Sequence, residues 1–116
     1  VALAVALYLI VTAWRIALRA MDMLMDRELD DSDREEIRSI ILSHPEVKSM
    51  HDLRTRSAGG HSFIQLHLEL DGDLSLSAAH RIADEVEKLV SAKFENAEIL
   101  IHEDPEGLDE DRPDFA

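Results

Sequence analysis

Close to the end of the chain, "ILIHEDP" (99–105) passes from aliphatic residues directly into His102 and Asp104. Residues two apart in a strand share a face, so these two side chains point together, opposite Ile99 and Ile101. An imidazole and a carboxylate offered to one side are half of a divalent-cation site. The other histidines stand at 44, 51, 61, 67 and 80. His51, His67 and His102 each fall in a different strand-like segment, as convergence on one region of a sheet requires. His80 opens a helical segment near the sheet end from which "HED" leaves. His44 and His61 read as ordinary surface or satisfied core histidines. With no cysteine in the chain, any metal is held by nitrogen and oxygen donors. Imidazoles with a carboxylate suit Zn²⁺, Fe²⁺, Co²⁺ and Cd²⁺ alike.

The segments that must position these side chains follow from periodicity. "HSFIQLHLEL" (61–70) alternates: Ile64, Leu66, Leu68 and Leu70 line one face, Phe63, Gln65, His67 and Glu69 the other. "VKSMHDLRTR" (47–56) alternates less cleanly, and "SAGG" turns the chain between the two. Before them, Ser32 with Glu35 has the form of a capping box for a helix carrying Ile37, Ile40 and Ile41 and stopping at His44-Pro45. A second helix is expected from about Ser75 to Phe94, with Leu76, Ala79, Ala83, Val86 and Val90 on its buried side. The last strand is "AEILIHED" (97–104). Helix, strand, strand, helix, strand predicts a compact α+β layer fold: two helices over one face of a three-stranded sheet. Helices on the aliphatic face leave His67, His102 and Asp104 on the open one.

The chain has 116 residues and a formal charge of −13. That charge argues against nucleic acid, whose phosphates require a basic footprint, and favours cations as partners. The first residues, "VALAVALYLIVTAW", hold no charge, Pro or Gly before Arg15. Fourteen helical residues cover about 21 Å, short of the about 30 Å of a hydrocarbon core. A chain that starts on Val reads as a fragment or processed product, and the segment as the last part of a transmembrane helix running on to about Arg27. Arg15, Arg19 and Arg27 follow the apolar run, which places what comes next on the cytoplasmic side. Leu18, Met21 and Met25 suit packing against a neighbouring helix. The tail "PEGLDEDRPDFA" (105–116) is acidic and reads as disordered.

Together the words "LMDREL", "MHDLRTR", "FIQLHLEL", "AAHRIADEVE" and "ILIHEDP" resemble the end of the last transmembrane helix and the cytosolic C-terminal domain of cation diffusion facilitator transporters, nearest to the bacterial zinc and ferrous-iron efflux branch. The resemblance covers about Val1 to Pro105 and leaves the acidic tail unmatched. It implies an αββαβ metallochaperone-like (ferredoxin-like) domain that dimerises and holds a two-metal zinc site near the subunit interface. The implied ligands are His51, His67, His80, His102 and Asp104, with His102 or Asp104 shared as a bridge. Asp26 matches an aspartate that forms an interlocking salt bridge with a membrane-helix lysine, and that lysine is absent from this sequence. The resemblance's transport-site residues, on earlier membrane helices, are absent too, so this stretch by itself is not expected to carry an ion across a membrane.

Residues 1–27 are thus expected to be membrane helix and cytosolic extension, 28–105 a metal-binding dimerisation domain, and 106–116 a disordered tail, in a bacterial inner (cell) membrane protein facing the cytoplasm. The expected function is regulatory: cytosolic Zn²⁺ (with Fe²⁺, Cd²⁺ or Co²⁺ as rivals) fills the binuclear site and stabilises a homodimer of a divalent-cation efflux transporter. Ligation requires neutral imidazoles, so affinity should weaken in acid. The alternatives are a metal-independent dimerisation domain and a free-standing metallochaperone-like protein. Catalysis is not expected: there is no H-E-x-x-H, and Gly59-Gly60 suits a hairpin turn better than a phosphate cradle. Arg54 and Arg56 read as solvated or interface salt-bridge residues.

Overall fold

A computed structural model describes residues 1–25 and 27–108 of the chain. The elements run α1 (Ala2–Leu24), α2 (Asp31–Leu42), β1 (Ser49–Ala58), β2 (His61–Leu70), α3 (Leu76–Lys93) and β3 (Ala97–Pro105). They form one mixed sheet in the order β1-β2-β3, antiparallel across the hairpin and parallel from β2 to β3 through α3. This is the expected αββαβ order behind a long N-terminal helix.

The clean alternation of β2 determines the layers. Ile64, Leu66, Leu68 and Leu70 are buried beneath Ile37 and Ile41 of α2 and Ile82, Val86 and Val90 of α3, with Met50 and Leu53 from β1 completing the core. Ser75 caps α3 by accepting from the Ala78 N–H, and the helix ends one residue before Phe94. Its buried stripe differs from the expected one at two places. Leu76, the first helical residue, is 81% exposed, and Ile82, absent from the expected stripe, is fully buried. The capping box at Ser32 and Glu35 is not formed: α2 starts at Asp31 with Asp30 as N-cap, so Ser32 lies inside the first turn. Asp31 and Asp33 there favour the positive end of the helix dipole.

The hairpin turn at Gly59 and Gly60 has φ of +59° and +83°, the left-handed pair that a two-residue turn demands and that glycine adopts without penalty. Helix α1 ends at Leu24, short of the expected Arg27, and Met25 is extended. Arg27 already belongs to the sheet edge, where its carbonyl accepts the Ser57 N–H at 2.7 Å. No residue of α1 is buried, and the helix is long and apolar enough to cross a membrane. Asp26 and residues 109–116 of the expected acidic tail lie outside the described residues.

His44 is a satisfied core histidine, as expected. Its Nδ1 accepts the Glu46 N–H at 3.3 Å, so the proton is on Nε2, which donates to Glu85 at 3.0 Å. Arg81 ties this group together through Glu85 at 2.9 Å and Glu46 at 3.1 Å, joining the end of α2 to α3. His44 first and Arg81 second hold the Glu85 carboxyl below its ordinary 4.5. A carboxyl depressed in the folded state stabilises the fold above its unfolded pKa, and that contribution disappears as pH falls through the depressed value. Glu85→Gln is therefore expected to lower the urea midpoint near neutrality, with the gap to the parent chain closing in acid. Midpoints measured from about pH 6 down to about pH 3 check this, and a pH-independent gap excludes the ionised carboxylate as its source.

Candidate metal centre

Strand register assembles the site. His51 pairs with His67 across β1 and β2, and His67 pairs with His102 across β2 and β3. The three imidazoles thus form one row across the whole sheet on the face away from the helices. Their rings stack at 5.1 Å (His51–His67) and 4.6 Å (His67–His102), close to the 4.7–4.9 Å spacing of neighbouring strands. The adjacent row is Ser49, Glu69 and Asp104, again one residue from each strand.

Plain alternation along β1 would put His51 on the same face as Leu53 and Thr55. A β-bulge resolves the conflict. His51 opposes His67 and Arg54 opposes Gln65, so Asp52 and Leu53 together stand against Leu66. Asp52 takes the left-handed conformation, φ +50°, which aspartate tolerates better than most residues. Met50, Leu53 and Thr55 then all enter the core side while His51 and Arg54 both face outward. Arg34 of α2 reaches the Leu53 carbonyl at 3.4 Å and braces the bulge.

Asp104 is the hub. It is 5% exposed, and its two oxygens face different partners. Oδ2 lies 2.7 Å from His67 Nδ1 and 3.4 Å from His51 Nε2, while Oδ1 lies 3.3 Å from His102 Nε2. Two donors each about 2.0–2.1 Å from one tetrahedral ion stand about 3.3–3.4 Å apart. The His51–Asp104 and His102–Asp104 separations already have that span. The His67–Asp104 contact is a hydrogen bond, and ligation by that nitrogen requires about 0.6 Å of opening and transfer of its proton to Nε2. Ligand atoms of His51, His67 and Asp104 lie within 4.8 Å of one another, while the His102 side chain, 61% exposed, stands at the other oxygen.

His80 is not brought to this cluster. It lies on the helix side of the sheet, with Nε2 3.7 Å from Asp84 and Nδ1 4.0 Å from Glu103. Glu103 shares the inward-facing phase of β3 with Ile99 and Ile101, opposite His102 and Asp104. Glu69, which the sequence places only on the face of His67, stands 3.0 Å from His51 Nδ1. Its two-residue offset from His67 was the available signal. The trio His44, Glu46 and Glu85 also has ligand-type side chains in range, but Arg81 already neutralises both carboxylates and the His44 tautomer puts a proton on Nε2.

Comparison with known proteins agrees with this architecture. Residues 29–106 match the family described as cation efflux protein, cytoplasmic domain. Cation-efflux pump FieF of Shewanella oneidensis is 48% identical over 104 residues, 90% of this chain and 35% of that protein. Protein p34 of Rickettsia prowazekii is 43% identical over 106 residues, 91% of this chain and 35% of that protein. The chain thus spans about a third of the length of these curated relatives. Among solved structures, the zinc form of CzrB, described as a candidate zinc transporter, superposes with a TM-score of 0.67 at 35% identity, covering 74% of this chain and 99% of that one. The metal-bound C-terminal domain of the CzcD transporter from Thermotoga maritima gives 0.65 at 26% identity, covering 71% of this chain and 100% of that one. The match along residues 29–106 and the identity to cation-efflux pumps establish that the chain belongs to the cation efflux protein family, as its cytoplasmic domain with a preceding apolar helix.

Proposed function

We propose that this chain is the cytosolic metal sensor of a divalent-cation efflux transporter in a bacterial cell membrane, and that Zn²⁺ binding at the histidine row stabilises its homodimer. The observation that carries the reading is the two-sided placement of Asp104. One oxygen serves the pair His51 and His67 and the other serves His102, which is the arrangement of a carboxylate bridging two ions. Fe²⁺, Co²⁺ and Cd²⁺ meet the same donors. His80, on the helix side of its own sheet, would complete such a site only from a second copy.

The open face supports a second copy as partner. Beside the histidines it carries Leu100, 63% exposed, with Phe63, Gln65 and the arginines at 54 and 56 around a shallow basin. Two chains at −13 each repel, and divalent ions at the contact reduce that repulsion. By linkage, an ion bound better by the closed arrangement shifts the population toward it. Through α1, read as the end of a membrane span, that shift would alter the spacing of the membrane parts.

The test is Zn²⁺ titration of the full chain in detergent micelles, by calorimetry with sedimentation in parallel. The expected result is more than one ion bound per chain and a monomer-to-dimer shift on loading. A dimer that forms equally with a chelator present would instead support the metal-independent dimerisation domain.

A further inference from the structure

We propose that Glu69, held in place by Ser49, is a positioning residue that fixes the tautomer and orientation of His51 at the metal centre. The proposal rests on the metal reading above and goes beyond its ligand set. Glu69 Oε1 lies 3.0 Å from His51 Nδ1. A carboxylate can only accept, so Nδ1 carries a proton, and in the neutral ring that ligation requires the lone pair is on Nε2. That nitrogen is the one 3.4 Å from Asp104 Oδ2, the separation two ligands of one ion require. The second oxygen of Glu69 accepts the Ser49 hydroxyl at 2.7 Å. Both oxygens of Glu69 are therefore engaged away from the ion position, on the far edge of the imidazole.

The sheet builds this device from register alone. Ser49 and Glu69 are direct partners across β1 and β2, and Glu69 is in turn the partner of Asp104 across β2 and β3. The row Ser49, Glu69, Asp104 runs beside the row His51, His67, His102, and the two carboxylates approach His51 from opposite ring edges. Glu69 holds the proton on one nitrogen and Asp104 marks the ion position at the other. A carboxylate behind a ligating imidazole also raises the basicity of the metal-bound nitrogen. Loss of such a partner weakens binding about 10–100-fold.

The experiment uses the full chain in detergent micelles, with Glu69→Leu, Glu69→Gln and Ser49→Ala beside the parent. Zn²⁺ titration is expected to show one site weakened by about 10–100-fold in Glu69→Leu and a smaller loss in Glu69→Gln, whose amide oxygen can still accept from Nδ1. Ser49→Ala removes only the hydroxyl and should fall between parent and Glu69→Gln, which keeps the test open should Glu69→Leu fold poorly. Imidazole ¹⁵N shifts of His51, recorded before Zn²⁺ is added, give a readout that general loosening of the sheet would not produce. The parent should show a protonated Nδ1 and a bare Nε2, and Glu69→Leu a tautomer mixture. Equal losses in Glu69→Gln and Glu69→Leu would make Glu69 a ligand and overturn the positioning role. Parent-like binding in Glu69→Leu, or a proton on Nε2 in the parent, would overturn it as well while the metal reading stands. A parent chain that binds no Zn²⁺ removes the metal reading and this proposal together.

Discussion

Asp104→Ala is expected to remove Zn²⁺ binding from the chain at both positions, a loss larger than the about 100-fold at the upper end for a merely supporting residue. The expectation comes from geometry: among the described residues, Asp104 is the side chain that faces His51, His67 and His102 together, through different oxygens. Truncating His102 is a weaker lesion, because His51, His67 and one oxygen of Asp104 still converge, and one ion should remain. Asp104→Asn separates charge from shape. The amide keeps one acceptor oxygen but presents an NH₂ group to the other partner, so it cannot bridge two cations. Asp104→Ala should also lower stability before any metal is added. His67 loses the acceptor of its Nδ1–H at a part-buried position, at a cost of about 1–3 kcal/mol. Calorimetric stoichiometry and urea unfolding, read on the same samples, check both halves. Retention of two ions by the alanine variant would leave Asp104 without the bridging role.

How much of this was legible in the sequence differs from residue to residue. The core face of β2 could be read outright, because a strand with one face against helices must alternate, and Ile64 to Leu70 do so without interruption. Strand β1 was harder. Its alternation contains an extra residue, and a bulge leaves no signature in hydrophobicity beyond a slipped phase. Only register shows that Asp52 is the inserted residue and that His51 faces outward because of it. In α3 Ala83, Val86 and Val90 follow the expected stripe; Leu76 escapes burial as the first residue of the helix, and Ile82 widens the stripe beside them. The histidine row was foreseeable as three strands each bearing one imidazole. Its side-by-side pairing required the strand order and offsets. Glu69 escaped because a carboxylate two residues from a histidine on a half-exposed strand is ordinary in a chain this acidic. His80 lay in a recognisable word, but the helix that carries it covers the aliphatic face, across the sheet from His67, His102 and Asp104.

Leu66→Ala shows how tightly site and core are joined. Leu66 is fully buried in the central strand, and the next residue along the chain, His67, stands in the middle of the histidine row on the opposite face. Truncation of such a leucine costs about 2–5 kcal/mol. The total stability of a domain of this kind is only about 5–15 kcal/mol, so a large fraction disappears and the urea midpoint should drop sharply. Zn²⁺ should offset the loss without repairing the cavity. An ion that binds only the folded chain adds about 2.7 kcal/mol at a free concentration 100-fold above its dissociation constant. The backbone register that aligns His51, His67 and His102 is held by the whole ladder, so the variant's affinity for Zn²⁺ should stay close to that of the parent once it is folded. The increment on adding Zn²⁺ is then the same in both chains, and the two effects add. Unfolding curves for parent and variant, each with chelator and with Zn²⁺, measure the coupling directly. A markedly smaller increment in Leu66→Ala would mean that packing beneath the sheet sets ligand geometry above it, and that additivity fails across the single layer separating core from metal.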